Sequence, residues 1–260
     1  MSYQGDPLPL ERFAQNLIPA ARQAGFREHV IGEHEPLHLI ALERVSQEPL
    51  GTVYISAGIH GDEPAGPLAL LALLETQALD PDFSYVVFPL LNPQGAETKS
   101  RENRLGVDLN RDYRESRSYE VKCHVQWIEE QLGKVDMALH LHEDWESPGF
   151  YLFELLGAGC PSLAGPILET AGKLCPINEA AEIEEFPASG GLIRPQVNAE
   201  ERPDWPEAIY LRERGIPRDY TVETPSMRAL EERIAVQASC VRAAIAGLRA
   251  ELTGAQGPRG

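Results

Sequence analysis

Two rhythms of apolar positions run along this chain. Over residues 8–24 apolar side chains recur every third or fourth position, which predicts a helix, and 37–42 alternates as a strand. GTVYISAGIHGDEP is a β-branched and apolar run stopped by Gly58 and Gly61, the pattern of a buried strand feeding a turn. A helix then opens near Pro64. Proline suits a helix start, and PLALLALLE is apolar nearly all round, as a helix laid over a sheet should be. Further strands are predicted at YVVFPLL, DMALHLH, FYLFEL and DYTVET, and helices over 119–132, 163–174, 205–213 and 227–252. Strands interleaved with helices give the α/β class: a three-layer α/β/α sandwich around a mixed, largely parallel central sheet. The stretch 157–201 is rich in Gly, Pro and Glu and reads as a loop-rich insertion. With no internal repeat or low-complexity linker, the chain reads as a single domain over 1–252 with a flexible tail over 253–260.

Composition narrows the function classes. In 260 residues, 43% are hydrophobic and 24% charged, which suits a globular core and excludes disorder, collagen and coiled coil. Acidic side chains outnumber basic ones 40 to 23, for a formal charge of -17, and such a surface repels phosphate backbones. No nucleic-acid partner is expected. The N-terminal stretch has no basic region followed by an apolar run, and no segment approaches the roughly 18 apolar residues of a membrane span. We therefore expect no membrane partner and a cytoplasmic location. Cys123, Cys160, Cys175 and Cys240 are scattered without a C-x-x-C pair and read as reduced and mostly buried.

Four stretches carry candidate chemistry. His60 and Glu63 sit in a glycine-flanked turn after a hydrophobic strand, where α/β sheets place ligand sites. An imidazole and a carboxylate aimed at one point are zinc ligands, needing a third histidine and a fourth position for water. HLHEDWES ends another strand. Its His140 and His142 share one face, and either can be the third ligand. SRENRLGVDLNRDY concentrates Arg101, Arg104, Arg111, Asn103 and Asn110 in an otherwise acidic protein, and guanidinium groups bind carboxylates and stabilise oxyanions. In DYTVETPS, Glu223 lies among apolar and β-branched neighbours. Burying a carboxylate there is costly unless it is paired or works as a general base.

Taken together, HGDEP, SRENR, GVDLNR, a strand-borne histidine and TVET resemble, in order and spelling, the zinc carboxypeptidases. The resemblance covers roughly residues 51–226 and places the chain near the succinylglutamate desuccinylase/aspartoacylase branch. It implies His60, Glu63 and His142 as ligands of one Zn2+ per chain, and Glu223 as the base that activates water. It also implies Arg101 as the residue that polarises the scissile carbonyl, and Asn110 with Arg111 as the grip on a substrate carboxylate. Asp108 is similar to the carboxylate that hydrogen-bonds the first histidine ligand and fixes its tautomer.

The chain departs from the large digestive members in three ways. The interval from His60 to His142 is short, Glu143-Asp144 stands where they carry Ser-Tyr, and PASGGLIRPQVNAEERPDW holds no counterpart of their mobile tyrosine. The expected activity is a zinc-dependent carboxypeptidase acting on a small peptide. The alternative is an N-acyl amino acid deacylase, for which the substrate would equally carry a free carboxylate. A catalytically silent binding domain is a third reading, against which the full residue set argues.

Overall fold

The computed structural model describes residues 6–254. All but the first two residues of the expected tail thus lie outside the described residues. Helix α1 (Leu10–Gln23) buries Phe13, Leu17, Ala20 and Ala21 along one stripe. Strands β1 (Arg27–Gly32) and β2 (Leu39–Arg44) form an antiparallel pair. Next come β3 (Thr52–Ala57), α2 (Ala65–Glu75) and β4 (Ser84–Phe88). The apolar run YVVFPLL outlasts its strand because Pro89 has no N–H to give a ladder. After α3 (Pro93–Thr98) and α4 (Tyr119–Gln131) the chain enters β5 (Met137–Asp144), β6 (Tyr151–Leu156) and α5 (Ala164–Gly172). Short strands β7 (Glu182–Ile183), β8 (Phe186–Ser189) and β9 (Leu192–Ile193) follow, then α6 (Glu207–Glu213), β10 (Arg218–Pro225) and α7 (Leu230–Leu252).

One ten-stranded sheet results, in the order β1-β2-β4-β3-β5-β10-β6-β9-β8-β7. The mixed sheet of the sequence reading is present. Its centre, β4-β3-β5-β10, is parallel, antiparallel pairs flank it on both sides, and β6 and β9 form one further parallel pair. Helices α1, α2, α5 and α7 cover one face around Leu70, Val87, Leu139 and Val222, while α4 and α6 cover the other around Tyr54, Trp127 and Leu211. The central strands are buried on both faces, which is why they read as unbroken apolar runs. The stretch 157–201 is less irregular than its composition suggests: α5 and three strands of two to four residues extend the sheet edge. Strands that short carry no readable period. All four cysteines are free thiols, Cys175 and Cys240 buried and Cys123 and Cys160 partly so. Among the described residues no helix is long and apolar enough to cross a membrane.

Two buried ionic clusters brace the layers. Arg233 of α7, 1% exposed, pairs with Glu143 of β5 and with Asp6, and Glu143 Oε1 accepts from Ala65 N at the start of α2 (2.7 Å). The departure at position 143 thus joins a helix start to the last helix. On the opposite face His140 lies between Asp219 Oδ2 (3.0 Å) and Glu207 Oε2 (3.2 Å). Burial opposes the imidazolium, but Asp219 and Glu207 outweigh it and push His140 up to about 10 from its ordinary 6.5. Burial also opposes the Glu207 carboxylate, but His140 and His124 and a Tyr54 hydrogen bond hold it down to about 2 from 4.5.

These shifts set a pH window. A raised histidine stabilises the fold fully below its unfolded pKa and loses that contribution as pH climbs through its folded pKa. The depressed Glu207 stabilises above about 4.5, and its share is lost as pH falls toward 2. The midpoint of urea unfolding is therefore expected to decline steadily from pH 6.5 toward 10 in wild type. His140→Leu should flatten that decline. An equally steep decline in the variant would assign it to other groups.

Candidate metal centre and active site

The site begins with topology. Strand β3 pairs β4 on one side and β5 on the other, and the crossovers run over opposite faces through α2 and α4. Such a reversal opens a crevice at the C-terminal ends of the strands on either side. His60 and Glu63 sit in the turn leaving β3, and His142 sits near the C-terminal end of β5. The turn is pressed backbone to backbone on α3: a Cβ on Gly61 would lie 1.9 Å from the carbonyl carbon of Gly95. Gly61 N donates to Ser100 O (2.9 Å), so the α3 segment fixes where the turn lies.

His60, Glu63 and His142 converge. One donor atom from each lies within 4.8 Å of the others, and all three residues are buried. His60 Nδ1 is 2.6 Å from Glu63 Oε1, and His142 Nδ1 is 3.0 Å from Glu63 Oε2. Burial raises the Glu63 carboxyl, but the two histidines outweigh it and hold it far below the ordinary carboxylate range. His142 is lowered, by burial above all, and His60 is raised because Glu63 and Asp108 overcome its burial. Glu63 Oε2 is buried without an aligned hydrogen-bond donor. Two imidazole nitrogens and a carboxylate crowded this closely fit a divalent cation that shares their lone pairs. The set meets the donor requirement of a catalytic zinc site with a position left for water.

Asp108 ties this group to its surroundings. Oδ1 lies 3.3 Å from His60 Nε2, a charge contact without hydrogen-bond alignment, and accepts from Asn110 N (2.9 Å). Oδ2 accepts from Arg101 Nε (2.9 Å). Burial works against the Asp108 carboxylate, yet His60, Arg101 and Arg111 together hold it well below its usual range. With Asp108 at Nε2, Nδ1 is the nitrogen of His60 left for a metal. Arg101 reaches the same place, its Nη1 lying 3.3 Å from His60 Nδ1.

Glu223 stands on β10 directly across from His142 in the parallel register, with Tyr151 of β6 on its other side. Burial pushes its carboxyl well above the ordinary value, Glu63 and Asp144 add to this, and Arg101 opposes it. His60, Glu63, Arg101, Asn110, Arg111, His142 and Glu223 all line one pocket of about 430 Å³. Asp108 braces them from behind. Arg104 is spent on Glu97, and Asn103 folds its own loop by accepting from Leu105 N and Val107 N. His140, the other histidine candidate, faces the ionic cluster with Glu207 and Asp219 instead.

The pocket also contains residues the sequence reading did not single out. Tyr151, Phe153 and Leu155 line it from alternate positions of β6, and Thr221 lies two residues before Glu223. For Thr221 the signal was present, since a period of two continues inward from Glu223 on the same strand. The Tyr151 hydroxyl donates to Asp144 Oδ2 (3.0 Å). The pocket thus holds a tyrosine, but on a strand beside Glu223 and not in the loop that precedes it. Its outer wall comes from the sheet edge and the chain before α6: Glu184, Phe186, Pro195, Val197, Arg202 and Pro206.

Comparison with known proteins agrees with this fold. The chain superimposes on a candidate metallopeptidase from Shewanella denitrificans with a TM-score of 0.79 and 23% identity, covering 94% of this chain and 90% of that one. A metallo-carboxypeptidase from Burkholderia cenocepacia gives 0.71 and 19%, covering 95% and 71%. One from Pseudomonas aeruginosa, in complex with (2-guanidinoethylmercapto)succinic acid, gives the same four figures. No curated protein sequence matches the chain. The class defined by fold and site is a metallohydrolase with the carboxypeptidase-like α/β fold. Within that class, residues 49–158 match the succinylglutamate desuccinylase/aspartoacylase catalytic domain, the branch to which the sequence motifs pointed.

Proposed function

We propose that this protein is a zinc-dependent metallocarboxypeptidase that hydrolyses the C-terminal amide bond of a small peptide. The observation that carries the reading is the convergence of three metal-binding side chains, Glu223 and the Arg101, Asn110 and Arg111 donors in one pocket. His60, Glu63 and His142 would hold the zinc, which when bound supplies Lewis acidity to a carbonyl and makes water nucleophilic near pH 7. Glu223 takes a proton from the attacking water onto a carboxylate oxygen and returns it to the leaving amine nitrogen. Its half-buried position supports this, because partial desolvation moves a carboxylate toward the pKa that proton transfer requires. Arg101 donates to the oxygen on which charge develops. Asn110 and Arg111 grip the free carboxylate. Arg111 has no carboxylate within ion-pair distance among the described residues, which leaves its guanidinium available.

A second reading, N-acyl amino acid deacylase, is favoured by the match over residues 49–158. It uses the same residues. The test is a panel assayed with zinc: N-blocked dipeptides with free C-termini, their C-terminal amides, N-acetylaspartate and N-succinylglutamate. Cleavage of blocked dipeptides, with the amides refused, is the expected result. Turnover of the acyl amino acids alone would transfer the assignment to deacylase, and turnover of none would leave the carboxypeptidase reading without support.

A further inference from the structure

Behind the pocket lies a set of buried polar side chains that the proposed chemistry does not use: Tyr54, Ser56, Tyr113, His124, His140, Glu207 and Asp219. Glu207 is their hub. Its carboxylate, 1% exposed, accepts from the hydroxyls of Tyr54 and Ser56 on β3 (2.8 Å for Ser56 Oγ) and lies 3.2 Å from His140 Nδ1 on β5. The protons can be placed in order. Tyr54 has a single hydroxyl proton and gives it to Glu207, so its oxygen accepts from His124 Nε2 (2.8 Å). His124 Nδ1 then accepts from the Tyr113 hydroxyl (2.7 Å).

This chain begins and ends on the segment that carries the carboxylate grip. Tyr113 lies two residues after Arg111, and Asn110 Oδ1 accepts from the backbone N of Glu207 itself (2.9 Å). That bond settles the orientation of the Asn110 amide, because only its oxygen can accept from an N–H. Asn110 lines the pocket, and its Nδ2 donors have no protein partner among the described residues. Pro206 provides no side-chain cap to α6, so Asn110 meets one of the unpaired donors of that helix start.

We propose that Glu207 is a positioning residue for substrate-carboxylate binding. Its buried carboxylate pins the first turn of α6 to β3 and β5, and its backbone N–H holds the Asn110 amide with Nδ2 turned to the pocket. The proposal deepens the carboxypeptidase reading and rests on it for the role of Asn110. It requires both carboxylate oxygens of Glu207, since a glutamine would put a donor NH2 where one of the two hydroxyls now donates.

The test compares zinc-loaded wild type, Glu207→Gln and the milder Ser56→Ala, which removes one donor to the carboxylate together with the Ser56 Oγ hydrogen bond with His140 Nδ1 (2.8 Å). For a blocked dipeptide, KM is expected to rise about tenfold in Glu207→Gln and about threefold in Ser56→Ala, with kcat within threefold of wild type and zinc content unchanged. Discrimination between the free acid and its C-terminal amide should shrink by the same factors. A merely structural role would lower Tm and the active fraction without changing that discrimination. An unchanged acid-to-amide ratio in both variants would overturn the proposal. A crystal structure of each variant provides a readout that needs no substrate: the 2.9 Å hydrogen bond from the backbone N of position 207 to Asn110 Oδ1 should break or lengthen. Finding it intact in both overturns the proposal even if the wild type cleaves nothing, whereas a silent wild type with this hydrogen bond broken in the variants counts only against the carboxypeptidase reading.

Discussion

Glu223→Gln is expected to keep its zinc and lose its turnover. Glutamine has the volume and hydrogen-bonding reach of glutamate but cannot take a proton at neutral pH, so the substitution isolates the base from the shape of the pocket. Position 223 lies across the ladder from His142 and contributes nothing to the three-residue metal group. Metal content should therefore stay at about one per chain. A positioned base typically contributes 10² to 10⁴ in rate, and kcat is expected to fall by about that factor, with KM changing far less. Removing a half-buried carboxylate that Glu63 and Asp144 repel should also raise the unfolding midpoint slightly. Full turnover in this variant would remove Glu223 from the mechanism and leave the base to be sought elsewhere in the pocket.

Loss of a ligand should have the larger structural consequence. His60→Ala and His142→Ala are each expected to abolish activity and to purify with little zinc, as measured by elemental analysis. The remaining carboxylate of Glu63 would then face one histidine in a buried site, where an under-compensated charge is costly. In wild type, free zinc at a thousand times its Kd should stabilise the fold by about 4 kcal/mol. For a domain of this size that corresponds to roughly 10 °C in Tm, and a chelator should remove it. A Tm indifferent to zinc and chelator, together with no metal uptake, would mean that the His-Glu-His group does not hold a metal.

Much of the site was legible because its chemistry is local in sequence. His60 and Glu63 share one turn, and Arg101, Asp108, Asn110 and Arg111 share one short stretch. Choosing between His140 and His142 was beyond strand periodicity, since both face the same side, and the resemblance made the choice. In space the difference is one row of the sheet: His142 meets Glu63, and His140 meets Glu207 and Asp219. Glu207 itself was invisible because its partners, from His140 to Tyr54, are 67 to 153 residues away in the chain, and no local pattern encodes a contact of that range. The helix α3 was missed for another reason. Its signals, Asn92 capping Gly95 N and Pro93 at the first position, were present, but six residues are too few to show a period.

The outer wall of the pocket and its chemistry come from different stretches of chain. The proposed metal ligands, Arg101 and the proposed carboxylate-binding pair Asn110 and Arg111 are complete by His142, and only Glu223 arrives later. The wall lies in between, on the short edge strands and the segment leading into α6. Edge strands of two to four residues tolerate exchange far better than the central ladder does. Selectivity in this architecture is therefore a separable trait. Grafting a different 184–202 segment onto an unchanged catalytic frame is a direct route to new substrate preferences, one that natural variation and the protein engineer can both use.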